Sequence, residues 1–147
     1  MRNLVIRIGL IGAVGIGALV LRPFMTGGAG ELKVGECFDV PSAAQTVEEV
    51  QHHPCTEAHI GEVFFVGKLP GAEDAPYPTD AVLDQTVEGL CVPAFDTYTG
   101  LTFMTDREWT YGWFVPLSED WVNGERGLIC YATLIANEPT TTSIQKG

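Results

Sequence analysis

All three histidines of the chain fall in one eight-residue stretch beside a thiol, His52-His53-Pro54-Cys55-Thr56-Glu57-Ala58-His59. Imidazole with thiolate sulfur suits zinc or copper, and Cys55 to His59 is a usable ligand spacing, so His52, His53, Cys55 and His59 form a candidate metal or redox centre. Three things weigh against it. The chain has no C-x-x-C pair and no C-x-x-C-H haem attachment, and a Cys55 taken into a disulfide stops being a ligand. The expectation is therefore no metal and no other cofactor.

Other chemistries are thinly supplied. G-x-S-x-G, H-E-x-x-H and phosphate-loop patterns are absent, and serine occurs only at Ser42, Ser118 and Ser143. A nucleophile pair of Cys55 and His59 needs a free thiol. His59 and Glu62 are three apart, which in a strand puts them on opposite faces and argues against an acid–base pair. His59 reads as structural, bonding backbone near Cys55, and Arg126 as a structural partner of Glu62 or Asp39. Asp80, Asp84 and Glu88 share one helix face, but no D-x-D-x-D-G loop accompanies them, so they read as a solvated face. Trp109, Tyr111 and Trp113 alternate, so their rings leave one face of a strand while Thr110, Gly112 and Phe114 take the other. That row is either a partner surface, a platform for a peptide or a sugar ring, or core against a helix, and aromatic rows are more often buried. No enzymatic activity is expected.

The elements that position these residues follow from period and punctuation. Residues 32–40 and 59–67 read as strands and 41–54 as a loop, followed by a second loop over 70–78. Val82, Leu83, Val87, Leu90, Ala94, Phe95 and Tyr98 fall at helical spacing, with Thr79 as N-cap, Asp80 near the positive helix end and Pro93 expected to kink or divide the helix. Residues 109–116 and 126–136 complete the strands, joined by a polar turn carrying Asn123-Gly124. One main helix on a small antiparallel sheet is the economical arrangement, an α+β fold. Four cysteines permit three pairings. Cys37 lies late in one strand and Cys55 just before its neighbour, while Cys91 is on the helix and Cys130 in the last strand, so the topology favours Cys37–Cys55 and Cys91–Cys130.

The domain begins after a different kind of segment. Residues 4–21 are apolar except for Arg7. An 18-residue helix spans about 27 Å, close to the hydrocarbon thickness. Residues 1–25 therefore read as a single N-terminal transmembrane anchor, 26–30 as a Gly-rich tether and 31–147 as the exported domain. A cleaved signal peptide is the rival, but Leu21-Arg22-Pro23-Phe24-Met25 offers no A-x-A site. Arg2 and Arg7 place the N-terminus in the cytoplasm and the domain outside a plasma membrane crossed once. Gly9, Ala13 and Gly17 recur every four residues, a face on which another membrane helix could pack closely. The overall charge of −11 conceals this division, because residues 31–147 hold all 19 acids and five bases, a local balance of −14. So acidic a domain repels phosphate backbones, and nucleic-acid binding is excluded.

Gly35-Glu36-Cys37-Phe38-Asp39, with Pro54-Cys55-Thr56-Glu57-Ala58-His59-Ile60-Gly61-Glu62-Val63-Phe64, resembles the paired opening motifs of the septum formation domain of actinobacterial envelope proteins. Tyr77-Pro78, Cys91, Pro116-x4-Trp121-x2-Gly124-Glu125-Arg126-x3-Cys130 and Thr142-Ser143-Ile144 extend the resemblance over residues 31–147. His52-His53 and the Trp109–Trp113 aromatic run depart from it. The resemblance implies a membrane-tethered extracytoplasmic domain linked to septation, with His59, Glu62, Trp121, Gly124 and Arg126 as structural motif residues and no catalytic set to carry over. The expected function is a non-enzymatic interaction module with protein partners in the membrane or envelope. An accessory subunit of a larger membrane complex is the alternative, and a metal or redox protein a third.

Overall fold

Alternating side chains need a sheet on which one set can be buried, and the chain supplies it with strands that pair antiparallel throughout. A computed structural model describes residues 6–11, 31–39 and 50–147. The elements are β1 (Ile6–Ile11), β2 (Cys37–Phe38), β3 (His52–His53), β4 (Gly61–Lys68), α1 (Asp80–Thr99), β5 (Trp109–Pro116), α2 (Ser118–Val122) and β6 (Gly127–Leu134). They form one six-stranded sheet in the order β1-β5-β6-β4-β2-β3. The antiparallel sheet, the one main helix and the two disulfides agree with the α+β expectation.

α1 is opened by Thr79, whose hydroxyl accepts from the Val82 amide at 3.4 Å, and closed by Gly100 in the left-handed conformation at φ 71°. Leu83, Val87, Cys91, Phe95 and Thr99 are buried at four-residue intervals, a stripe laid against the sheet. Against them pack Phe64, Tyr111, Trp113, Val115, Leu128, Cys130 and Ala132. Val82, read as part of the apolar stripe, is half exposed instead. The helix also runs undivided through Pro93. Pro93 and Gly89 one turn earlier both face solvent, where water can take the carbonyl bond that proline cannot supply.

The other face carries a smaller aromatic group, with Tyr131 5.2 Å from Phe38 and 5.1 Å from Phe114 between ring centroids. Glycine makes room for it. Gly112 lies opposite Tyr131 across the β5–β6 pair, and a Cβ there would run into the Tyr131 ring.

Several boundaries differ from the sequence expectation. The strand expected over residues 32–40 contracts to Cys37–Phe38, because Glu36 turns back on Lys33 and Gly35 adopts φ 90°. His52 and His53, expected in a loop, pair with β2. α2 occupies part of what was read as a turn. The largest difference is at the N-terminal side. Ile6–Ile11, expected within a membrane helix, is a strand in register with β5 from Ile6↔Pro116 to Ile11↔Tyr111. Unpaired N–H and C=O groups along the β5 edge require partners, and an extended apolar segment provides them. Gly9 lies in this strand. Ala13, Gly17, the tether at 26–30 and the rest of the apolar run lie outside the described residues. Among the described residues, no helix is long and apolar enough to cross a membrane.

Candidate functional site

Strand alternation puts Glu62 on the same side of β4 as Phe64, facing α1. Its residue is 2% exposed, so its carboxylate must be bonded within the protein. Three donors from distant segments converge on it. The Tyr98 hydroxyl on α1 donates to Oε1 at 2.6 Å, the Ser143 hydroxyl donates to Oε1 at 2.7 Å, and the Ile144 amide donates to Oε2 at 2.9 Å. Charge-assisted bonds of this kind are about twice as strong as neutral ones. Burial, with the bond to Glu62 and its charge, pushes the Tyr98 phenol well above its ordinary value. The Lys146 amide donates to the Tyr98 carbonyl, and His59 and Thr140 exchange two backbone bonds at 2.9 Å. Glu62 thus fastens residues 140–146 to the end of α1 and the start of β4.

The Cys37–Cys55 disulfide borders the same carboxylate. Cys37 lies opposite Glu62 across the β2–β4 pair, and both sulfurs come within 4.8 Å of a Glu62 oxygen. The bond joins residues 18 apart with Cα atoms 5.2 Å from each other. Cys91–Cys130 ties α1 to β6, with a separation of 39 residues and Cα atoms 5.9 Å apart. The two loop closures contribute roughly 3 and 4 kcal/mol in the chain-entropy account.

The histidine stretch does not converge. The His53 Nε2 lies 2.9 Å from Asp39 Oδ2, and His52 Nδ1 lies 3.8 Å from Glu36 Oε2. The buried His59 bonds the Glu57 carbonyl through Nδ1 at 2.8 Å. Among the described residues, the one set of three candidate ligands that comes together is Cys37, Cys55 and Glu62. It contains no histidine, and its two sulfurs are spent on each other.

Arg126 corrects a second expectation, since it bridges neither Glu62 nor Asp39. Its guanidinium lies 3.5 Å above the Trp121 ring, and its NH groups donate to the carbonyls of Trp121, Glu125, Ala72 and Glu73 at 2.7–3.3 Å. Carbonyls replace carboxylates because the chain turns through φ 90° at Gly124 and brings Arg126 back across α2 onto the 70–78 loop. Trp121 completes the junction, its indole N–H donating to Ala75 at 2.7 Å and its ring meeting Tyr77 edge-on at 5.6 Å.

The aromatic row is core and not a partner surface. Tyr111 and Trp113 are at most 4% exposed, and Trp109 packs at the margin of the same cluster beneath α1. The sequence placed Tyr98 only in the apolar stripe of the helix, and Ser143 only as a scarce serine and part of a motif, so neither was matched to Glu62. The available signal was Glu62 itself, because a carboxylate at an inward strand position demands donors.

A family model described as septum formation matches residues 34–146. No curated protein and no solved structure matches the chain.

Proposed function

The chain belongs to the septum formation family, and from that membership we propose a membrane-anchored, extracytoplasmic interaction module serving cell division and the organisation of the envelope. The family match over residues 34–146 carries the reading. Two disulfides support an oxidising location. The module works without catalysis: its four cysteines are paired and its buried histidine is bonded to backbone. Partner proteins dock on the acidic exterior of the domain, since the aromatic row is committed to the core.

Residues 4–21 anchor the module as a helix, with the N-terminus cytoplasmic. Water is absent from a bilayer core, so a lone spanning segment has to bond its own backbone, and a helix does so. Pairing of Ile6–Ile11 with β5 bonds the groups of those six residues that face β5. The two arrangements are alternatives for one segment. Carbonate extraction with protease protection tests the anchor, and a fluorescent fusion in dividing cells tests the septal role. Release of the full chain by carbonate, or an even distribution around the cell, overturns the reading.

The spacing of Gly9, Ala13 and Gly17 favours a second reading, an accessory subunit held in a larger membrane complex through that helix face. Replacing all three with Leu abolishes co-purification of the complex on this reading. It leaves septal localisation unaffected on the first.

A further inference from the structure

We propose that Cys37–Cys55 is a redox-exchangeable disulfide and that Glu62 is the proton acceptor for Cys37. The two disulfides differ in their surroundings. Cys91 and Cys130 are both 0% exposed within the core beneath α1. Cys37 is buried at 1%, but Cys55 is partly exposed at the start of a loop, so it is the member of the pair nearer to solvent. Exposed disulfides are the labile ones. A Glu62 oxygen lies within 4.8 Å of both sulfurs, and among the described residues no carboxylate converges on Cys91–Cys130 in this way. One water, or rotation of the reduced Cys37 side chain, spans that separation. The groups facing Glu62 are Tyr98 from α1, Ser143 and the Ile144 amide from the C-terminal segment, Cys37 from β2 and Cys55 from its loop. No lysine, arginine or histidine among the described residues pairs with it, so the carboxylate is not engaged by a cation.

The exchange partner is a disulfide of a protein or small thiol. The Cys55 thiolate, its proton lost to water, attacks one sulfur of that disulfide, forming a mixed disulfide and releasing the first partner thiolate. Glu62 then takes the proton from Cys37 Sγ. The Cys37 thiolate attacks Cys55 Sγ, the Cys37–Cys55 bond forms, and the second partner thiolate leaves with the electron pair. Cys37 and Cys55 lose two electrons and the partner disulfide gains them. Reduction runs through the same steps reversed. The exchange is stoichiometric and changes the state of the module, so it stands beside the docking role without requiring turnover.

The test uses the full chain in detergent, with thiols trapped by alkylation and each bond followed by peptide mass mapping. Dithiothreitol opens Cys37–Cys55 in the folded wild-type protein while Cys91–Cys130 stays closed. Reclosure by glutathione disulfide at neutral pH slows on the order of 10²-fold in Glu62→Gln and recovers in Glu62→Asp, which keeps a carboxylate. If both bonds open together and only as the protein unfolds, the proposal fails, and this arm needs no variant. A folded Glu62→Gln that recloses at the wild-type rate also overturns it.

Discussion

Tyr98 and Glu62, 36 residues apart, share a 2.6 Å hydrogen bond that joins the last turn of α1 to the first residues of β4. The bond places a neutral phenol against a buried carboxylate, so both residues depend on the contact. Tyr98→Phe leaves the carboxylate with the Ser143 and Ile144 donors alone. A bond to a charged group contributes about 1.5–3 kcal/mol, and the variant should lose stability in that range. Urea unfolding with both disulfides intact measures the loss, and faster hydrogen exchange at the Ile144 amide locates it.

High pH should expose the same burial. Tyr98, Tyr111 and Tyr131 all have phenols pushed above their ordinary value, in each case chiefly by burial. A phenol raised on folding contributes stability that is fully present below the unfolded value of about 10 and is lost as the pH rises beyond it. The tyrosinate absorbance of these three residues should stay silent through the range where unfolded tyrosine ionises, then appear together with loss of the folded circular dichroism signal. Gradual ionisation in a protein that remains folded would contradict this.

Two glycines should respond oppositely to alanine. At Gly112 the new Cβ meets the Tyr131 ring and hydroxyl, and overpacking of this kind costs about 1–3 kcal/mol. At exposed Gly89 on α1 nothing lies within 4 Å of the new carbon, and helix propensity favours alanine by about 0.5–1 kcal/mol. Thermal melts of the two variants should move in opposite directions.

Arg126→Lys should free the 70–78 loop. Lysine keeps the charge but loses the planar fork that stacks on Trp121 while reaching Ala72 and Glu73. Limited proteolysis should then cut within residues 70–78 several-fold faster, with the cutting rate elsewhere unchanged. An unaltered cleavage pattern would show that Trp121 holds the loop by itself.

The elements with long, regular periods were legible in the sequence. β5 has the bounds that alternation and Pro116 imply, α1 begins at its N-cap Thr79, and the topology suggested both disulfide pairings. What escaped was decided by contacts between distant segments. α2 is five residues long, too short to display a period. Arg126 was assigned to acids because charge can be read from a sequence, whereas the carbonyls of Ala72 and Glu73 become acceptors only once the loop is folded beneath it. Glu62 was weighed against His59, three residues away, although its partners come from α1 and from residues 143 and 144. Ile6–Ile11 was read within a helix and pairs with β5 instead, because a nearly continuous apolar run displays neither the helical nor the strand period.

The donors of Glu62 also impose an order of assembly. Ser143 and Ile144 follow Glu62 by 81 and 82 residues, so an emerging chain carries an incompletely bonded carboxylate until nearly the whole domain is present. Contacts of such separation are slow to form and come after local structure. The C-terminal segment therefore acts as the final latch of folding. A ribosome-stalled or truncated chain that ends before residue 143 would keep the edge of β4 and the end of α1 poorly joined, exposed to proteases that the complete domain resists.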